Sequence, residues 1–195
     1  MADSPIFEVK FRRRRKQKTN YEKRLALLKS AKPRLVVRTT NKRVISQVVE
    51  YNKAGDKVIV STDSNELKDF GWNHGKGSIP SAYLTGFLCG LMAKKKGVTH
   101  AVLDIGKKTP VRGSVPFAVL KGAVDSGVNV PHAADAFPSE DRIKGKHISA
   151  FAQKLDQEKL AKIFSGQLKN KADPKNISQD FEKTKQAIES KLNAA

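Results

Sequence analysis

The stretch KFRRRRKQKTNYEKR, from Lys10 to Arg24, sets four arginines in succession, Arg12 to Arg15, with Lys16 and Lys18 close behind. A guanidinium donates in a planar fork that grips phosphate oxygens in pairs and stacks on exposed bases, so the chemistry open to this run is polyanion recognition. A run of this length can also be an idle, solvated tail, and the rest of the chain has to decide. GWNHGKGS, Gly71 to Ser78, has the glycines and lysine of a phosphate-binding loop, but GxxxxGK[ST] needs four residues between its glycines and a hydroxyl after the lysine. Here three residues separate Gly71 from Gly75, and Gly77 follows Lys76, so the segment reads as a structured glycine-rich loop. His74, His100, His132 and His147 stand singly without HExxH spacing, and Cys89 is the only cysteine, so no metal site and no internal disulfide are expected. Asp104 closes a predicted strand, where two-metal nucleases gather carboxylates. Its possible companions Asp56 and Asp63 sit in or near turns and most other acids lie on helices. Asp104 is therefore expected to organise the turn after its strand, with no hydrolysis.

Charge favours the polyanion. The 195 residues carry a formal +19, and residues 1–43 alone hold 15 Lys and Arg against 3 Asp and Glu. Most of the field thus lies in the first fifth of the chain, and such an excess repels itself unless an anion answers it. A membrane surface would need a broad apolar face beside the cations. Only Phe7, Val9 and Phe11 precede the run, and their alternation reads as extended chain. MADSPIFEV has no apolar core of secretory length, and IPSAYLTGFLCGLMA, Ile79 to Ala93, falls short of the ~20 residues of a spanning helix. A cytoplasmic protein with no membrane contact is expected.

The elements that must position these groups are legible from periodicity. Thr19 to Glu22 has capping-box spacing for a short helix carrying Tyr21, Leu25 and Leu28 on one face, and Pro33 blocks its continuation. RLVVRT from Arg34, VISQVVEY from Val44 and KVIVST from Lys57 are β-rich. The turns TNKR and NKAGDK separate them, which predicts an antiparallel meander. Ser78 and Pro80 then open a helix whose Leu84, Phe87, Leu88, Leu91 and Met92 form a stripe expected to cover a sheet. Ala82, Gly86 and Gly90 make a second row that lets another element come close. HAVLDIG reads as a buried strand, GSVPFAVLKGAVDSG as a helix and VNVP as a last short strand. The order βββαβαβ predicts an α/β fold: a mixed five-stranded sheet, meander followed by βαβ crossovers, with packed helices. Beyond Pro131, one helix is expected through Ile148, Phe151, Leu155 and Ile163, and another near Ser178 with Phe181, Ile188 and Leu192 in a stripe. Such stripes dock on the protein's own core or on a neighbour. The expected organisation is a basic arm with a short helix (1–33), an α/β core (34–131) and a helical C-terminal extension (132–195).

KPRLVVRTTNKRVISQVVEY, GSIPSAYLTGFLCGLMAKKKGV, AVLDIG and GSVPFAVLKGAVDSGVNVPH closely resemble the archaeal-type family of large-subunit ribosomal protein L eighteen, whose members bind 5S rRNA. FRRRRKQKTNYEKRLALLKS is similar to the family's opening, and the segment past Pro131 is similar to archaeal and eukaryotic members, whereas bacterial ones end near the equivalent of Val130. The resemblance spans nearly the whole chain and is weakest after Asn170.

This resemblance implies a ribonuclease-H-like sheet used as a scaffold without nuclease activity, in a structural constituent of the large ribosomal subunit that has no cofactor and no small-molecule substrate. A metal-dependent nuclease on that scaffold is the alternative. The implied partners are 5S rRNA, large-subunit rRNA at the central protuberance, and neighbouring large-subunit proteins. Carried over by position, Arg12, Arg13, Arg14, Arg15, Lys16 and Lys18 match the basic opening, with Arg24 on the helix behind it. Arg34, Arg38, Thr40, Asn41, Lys42 and Arg43 match the strand and hairpin motif. The arginines then read as an extended arm that threads between RNA segments and is ordered only there.

Overall fold

The computed structural model describes residues 6–193. Three strands fall where alternation placed them: β1 Arg34–Thr39, β2 Val44–Glu50 and β3 Lys57–Asp63. β1 and β2 pair antiparallel from Arg34↔Val49 to Thr39↔Val44, and β2 and β3 pair antiparallel with a bulge between Val48 and Val49. Leu35, Val37, Val44, Val48 and Val60 are buried among the residues of one core. β4, Val102–Asp104, joins the other edge of β1 in parallel, giving the order β3-β2-β1-β4.

The sheet has four strands among the described residues, so the expectation of five is corrected. At VNVP the chain makes one parallel bridge, His100↔Asn129, with Ala101 N donating to the Asn129 carbonyl at 3.0 Å and Asn129 N to Thr99 at 2.8 Å. Pro131, two residues on, has no N–H with which to extend a ladder.

Two long helices cover one face: α3, Ile79–Lys95, and α4, Val115–Asp125, each entered from a serine with proline in its first turn. That placement is favourable because the first helical N–H groups have no intrahelical partner to lose. The helices touch where side chains are missing. A Cβ on Gly86 would stand 2.1 Å from the Val119 carbonyl oxygen, and one on Gly122 would stand 2.2 Å from that of Tyr83. Both clashes are with backbone, so the helices would have to separate. Gly86→Ala is therefore expected to destabilise the fold by about 1–3 kcal/mol or more, read from the midpoint of a urea transition; an unchanged midpoint would show that the crossing is loose.

The helix does cover the sheet, but not with the expected stripe of large residues, of which only Met92 reaches the sheet-side core. Ala82, Cys89 and Ala93 meet the sheet-side core, while Tyr83, Leu84, Phe87 and Leu88 build a second core on the other side of α3. There they meet Leu67 and the fully buried Trp72, Ile143 of α5 (Glu140–Ile143), and Ile177, Phe181 and Ile188 of α9 (Ile177–Asn193). The ring centroids of Tyr83 and Phe181 are 5.5 Å apart. The α9 stripe docks on the protein's own core.

The long helix expected through Ile163 is instead two: α6, Lys146–Gln153, and α7, Gln157–Ile163, followed by α8, Ser165–Lys169. Asp156, extended at φ −64° and ψ 155°, stands at the start of α7 and breaks the periodicity. Ile148 packs against the second core, whereas Phe151 and Ile163 are 49% and 56% exposed. Among the described residues no helix is long and apolar enough to cross a membrane.

Candidate nucleic-acid interface

The basic opening is not a wholly extended arm. Arg12–Arg15 form one helical turn, α1, exposed throughout, with Phe11 packing against Tyr21 at 5.3 Å between centroids. Arg13 Nε donates to Thr19 Oγ1 at 2.8 Å, and Arg14 lies 4.0 Å from Glu22. Thr19 is thus engaged by the arm. The next helix, α2, Tyr21–Leu28, is capped by Asn20, whose side chain accepts from Lys23 N at 3.1 Å. The expected capping box on Thr19 is corrected to an asparagine cap one residue on, which is as good an acceptor.

Behind α2 lies a network of arginines and carboxylates. Arg24 donates to both oxygens of Asp56, at 2.7 and 2.8 Å, and Arg34 bridges Asp56 at 2.7 Å and Asp104 at 2.8 Å. Arg38 donates to the Asp104 carbonyl at 2.8 Å and to its carboxylate at 3.1 Å, and Gly106 N donates to the same carboxylate at 2.8 Å. Asp104 therefore organises the turn after β4. The Arg34 side chain is only 3% exposed, so in this fold it holds two carboxylates in place and has no surface to offer a phosphate. Arg38 keeps 47% of its side chain exposed while its inner edge is tied down. Periodicity could not separate these two, because both point to the same face of β1.

Arg13, Lys18, Arg24 and Arg38 line one groove of about 710 Å³ between α2 and the turn after β4. Lys23 and Lys108 line it as well. Neither is among the RNA-contacting residues expected from the sequence; the signal for Lys23 is its place beside Arg24 on the short helix, and that for Lys108 is the GKK that follows the Asp104 strand.

At the β1–β2 turn, Thr40 N donates to the Arg43 carbonyl at 2.9 Å, and Thr40 Oγ1 accepts from Arg43 N at 3.1 Å. Arg43 also pairs with Asp63 at 3.2 Å. Thr40, Asn41, Lys42 and Arg43 are all exposed on this stiffened turn. The glycine-rich loop backs it: a Cβ on Gly77 would stand 3.1 Å from the Asn41 carbonyl. In the same loop His74 is buried, with Nε2 2.9 Å from Asp180 of α9 and Nδ1 3.4 Å from Gln167 of α8. The loop thus ties the C-terminal helices to the core.

A nuclease needs carboxylates free to converge. Asp56 and Asp104 are each held by two arginines, and Asp63 by Arg43. Among the described residues no three His, Cys, Asp or Glu side chains form a group that could hold a metal ion.

The family model for ribosomal large subunit proteins 60S L5 and 50S L18 matches residues 6–98. The chain is 50% identical over 194 residues to large ribosomal subunit protein uL18 of Korarchaeum cryptofilum, covering 99% of this chain and 100% of that protein. It is 44% identical over 192 residues to the uL18 of Methanothermobacter thermautotrophicus, covering 98% and 100%. With 44–50% identity over nearly the whole chain, in proteins of matching length, the chain belongs to the archaeal-type uL18 family of large-subunit ribosomal proteins, which are structural and not enzymes.

Proposed function

We propose that this chain, a structural constituent of the large ribosomal subunit in the cytoplasm, binds 5S rRNA and helps attach it to large-subunit rRNA at the central protuberance. The observation that carries the reading is the convergence of Arg13, Lys18, Arg24 and Arg38, from arm, helix and strand, on one groove. In this reading Arg12, Arg14, Arg15 and Lys16 contribute mainly charge, and the stiff turn at Thr40 to Arg43 contributes selectivity. A turn pinned by its own hydrogen bonds meets RNA of one shape at little ordering cost, whereas long exposed side chains without such bonds adapt to many polyanions. The mixed sheet is read as a scaffold of the ribonuclease-H-like type, and neighbouring large-subunit proteins as further partners.

The test compares 5S rRNA with an unrelated structured RNA of equal length at one salt concentration. The wild-type chain should prefer 5S rRNA. Replacing Asn41, Lys42 and Arg43 by Gly-Gly-Ser should cost about tenfold in affinity for 5S rRNA, the worth of one charged hydrogen bond, and markedly less for the other RNA. Equal losses on both RNAs, with circular dichroism unchanged, would mean that the turn supplies charge alone. No preference in the wild type would remove the 5S assignment.

A further inference from the structure

We infer that the groove between α2 and the turn after β4 is a seat for a single unpaired RNA nucleotide, its base inserted and its phosphates held at the rim. This deepens the RNA-binding reading above and rests on it. Phosphodiester docking by itself needs only cations, and the rim supplies them: Lys18, Lys23 and Lys108 line the groove, are exposed, and form no ion pair among the described residues. The two carboxylates of the lining, Asp56 and Asp104, are already answered by Arg24, Arg34 and Arg38, so the field of the groove is positive.

The floor is what a phosphate does not explain. It is formed by the partly buried Leu27, Leu103 and Ile105, and Ala26 and Pro110, both exposed, complete the apolar lining. An apolar floor in a cationic rim matches a nucleotide, whose base has apolar faces and whose backbone is anionic. About 710 Å³ lies within the range of sites that enclose small organic groups. Tyr21, partly buried, adds an aromatic surface to the lining. Polar edge groups are present too. Asn20 uses its side-chain oxygen to cap α2, which leaves its Nδ2 without a partner among the described residues, and Thr19 accepts from Arg13 with its hydroxyl proton still to give. One wall is rigid. Gly106, at φ +67°, has the Arg38 guanidinium 3.0 Å from where a Cβ would stand, and Arg38 is itself held by Asp104.

The decisive substitution is Ala26→Trp, at an exposed position of α2 that lines the groove, because it fills the space and changes no charge. The probes are an RNA hairpin with one extruded uridine, the same hairpin fully paired, and 5S rRNA, all at one salt concentration. Wild type should prefer the bulged hairpin about tenfold, the order that base stacking contributes. Ala26→Trp should remove that preference and leave both the affinity for the paired hairpin and the salt slope in place. Lys23→Ala with Lys108→Ala should instead lower the slope. Tyr21→Ala serves as a second probe of the seat should Ala26→Trp fail to fold by circular dichroism. A wild type without preference for the bulge, or a preference that survives both substitutions, would overturn the seat. Millimolar uridine monophosphate should compete weakly with the bulge for the seat; binding of the free mononucleotide as tightly as the bulged hairpin would overturn it, assigning the groove to a free nucleotide. Bulge preference without preference for 5S rRNA over an unrelated RNA would keep the seat and sink only the 5S reading.

Discussion

Asp104→Ala should destabilise the fold by about 3–5 kcal/mol, the cost of leaving a buried charge without its partner. The charge stranded is that of Arg34, 3% exposed and reaching 2.8 Å to Asp104. Asp56 would still hold one end of its guanidinium, but Arg38 and Gly106 N would lose their acceptor as well. Denaturant unfolding near neutral pH measures the loss. The double variant Arg34→Met with Asp104→Leu should recover much of it, because removing both members of a buried pair costs less than removing one. A loss under about 1 kcal/mol in Asp104→Ala, the level of a surface pair, would show that the network is solvated in solution. Asp56 adds a pH dependence. Burial raises its pKa, but the hydrogen bond and charge of Arg24, with Arg34, outweigh that and hold it below its ordinary 3.8. A carboxyl depressed in the folded state contributes stability that is complete above its unfolded value and lost as pH falls through the folded one. The stability curve should therefore drop below about pH 4, and Asp56→Asn should flatten that part of it.

Replacing Arg12 to Arg15 by alanine should leave the fold intact and remove most of the salt dependence of RNA binding. The turn they form buries nothing, so no core contact is lost. Each phosphate contact removed takes roughly 0.7 to 0.9 units from the slope of log K against log salt, so four contacts take about 3 units, on the order of a thousandfold in affinity at 0.1 M salt. Arg13 gives up only a neutral hydroxyl acceptor to make such a contact, and Arg14 only a 4.0 Å approach to Glu22. Titration of 5S rRNA at several salt concentrations decides it. An unchanged slope would make the arginines an idle tail.

The Gly86 and Gly122 contacts show why so much of the fold was legible. A small-residue row on a helix announces a close neighbour, and the structure supplies α4 as that neighbour. The three strands of the meander, their turns and the starts of α3 and α4 were readable for the same kind of reason. Alternation, turn chemistry and a proline after a capping serine are local, and local geometry enforces them. The same holds for the stripe on α9, whose Phe181 and Ile188 are buried as their spacing requires.

What sequence could not decide depended on partners distant along the chain. VNVP has strand composition, yet only Asn129 finds a ladder, because a strand exists only as far as its neighbour runs beside it. Ile148, Phe151 and Ile163 share a helical period, but a break at Asp156 and the limited reach of the second core leave two of them in water. Arg34 and Arg38 are indistinguishable four positions apart on one face of one strand. One is buried across Asp56 and Asp104, 22 and 70 residues away in sequence, and the other lines the groove. The basic chain and its resemblance were enough to identify an RNA-binding ribosomal protein. Which of its cations face outward was decided by where the carboxylates came to rest, since a guanidinium paired in the interior cannot also reach a phosphate.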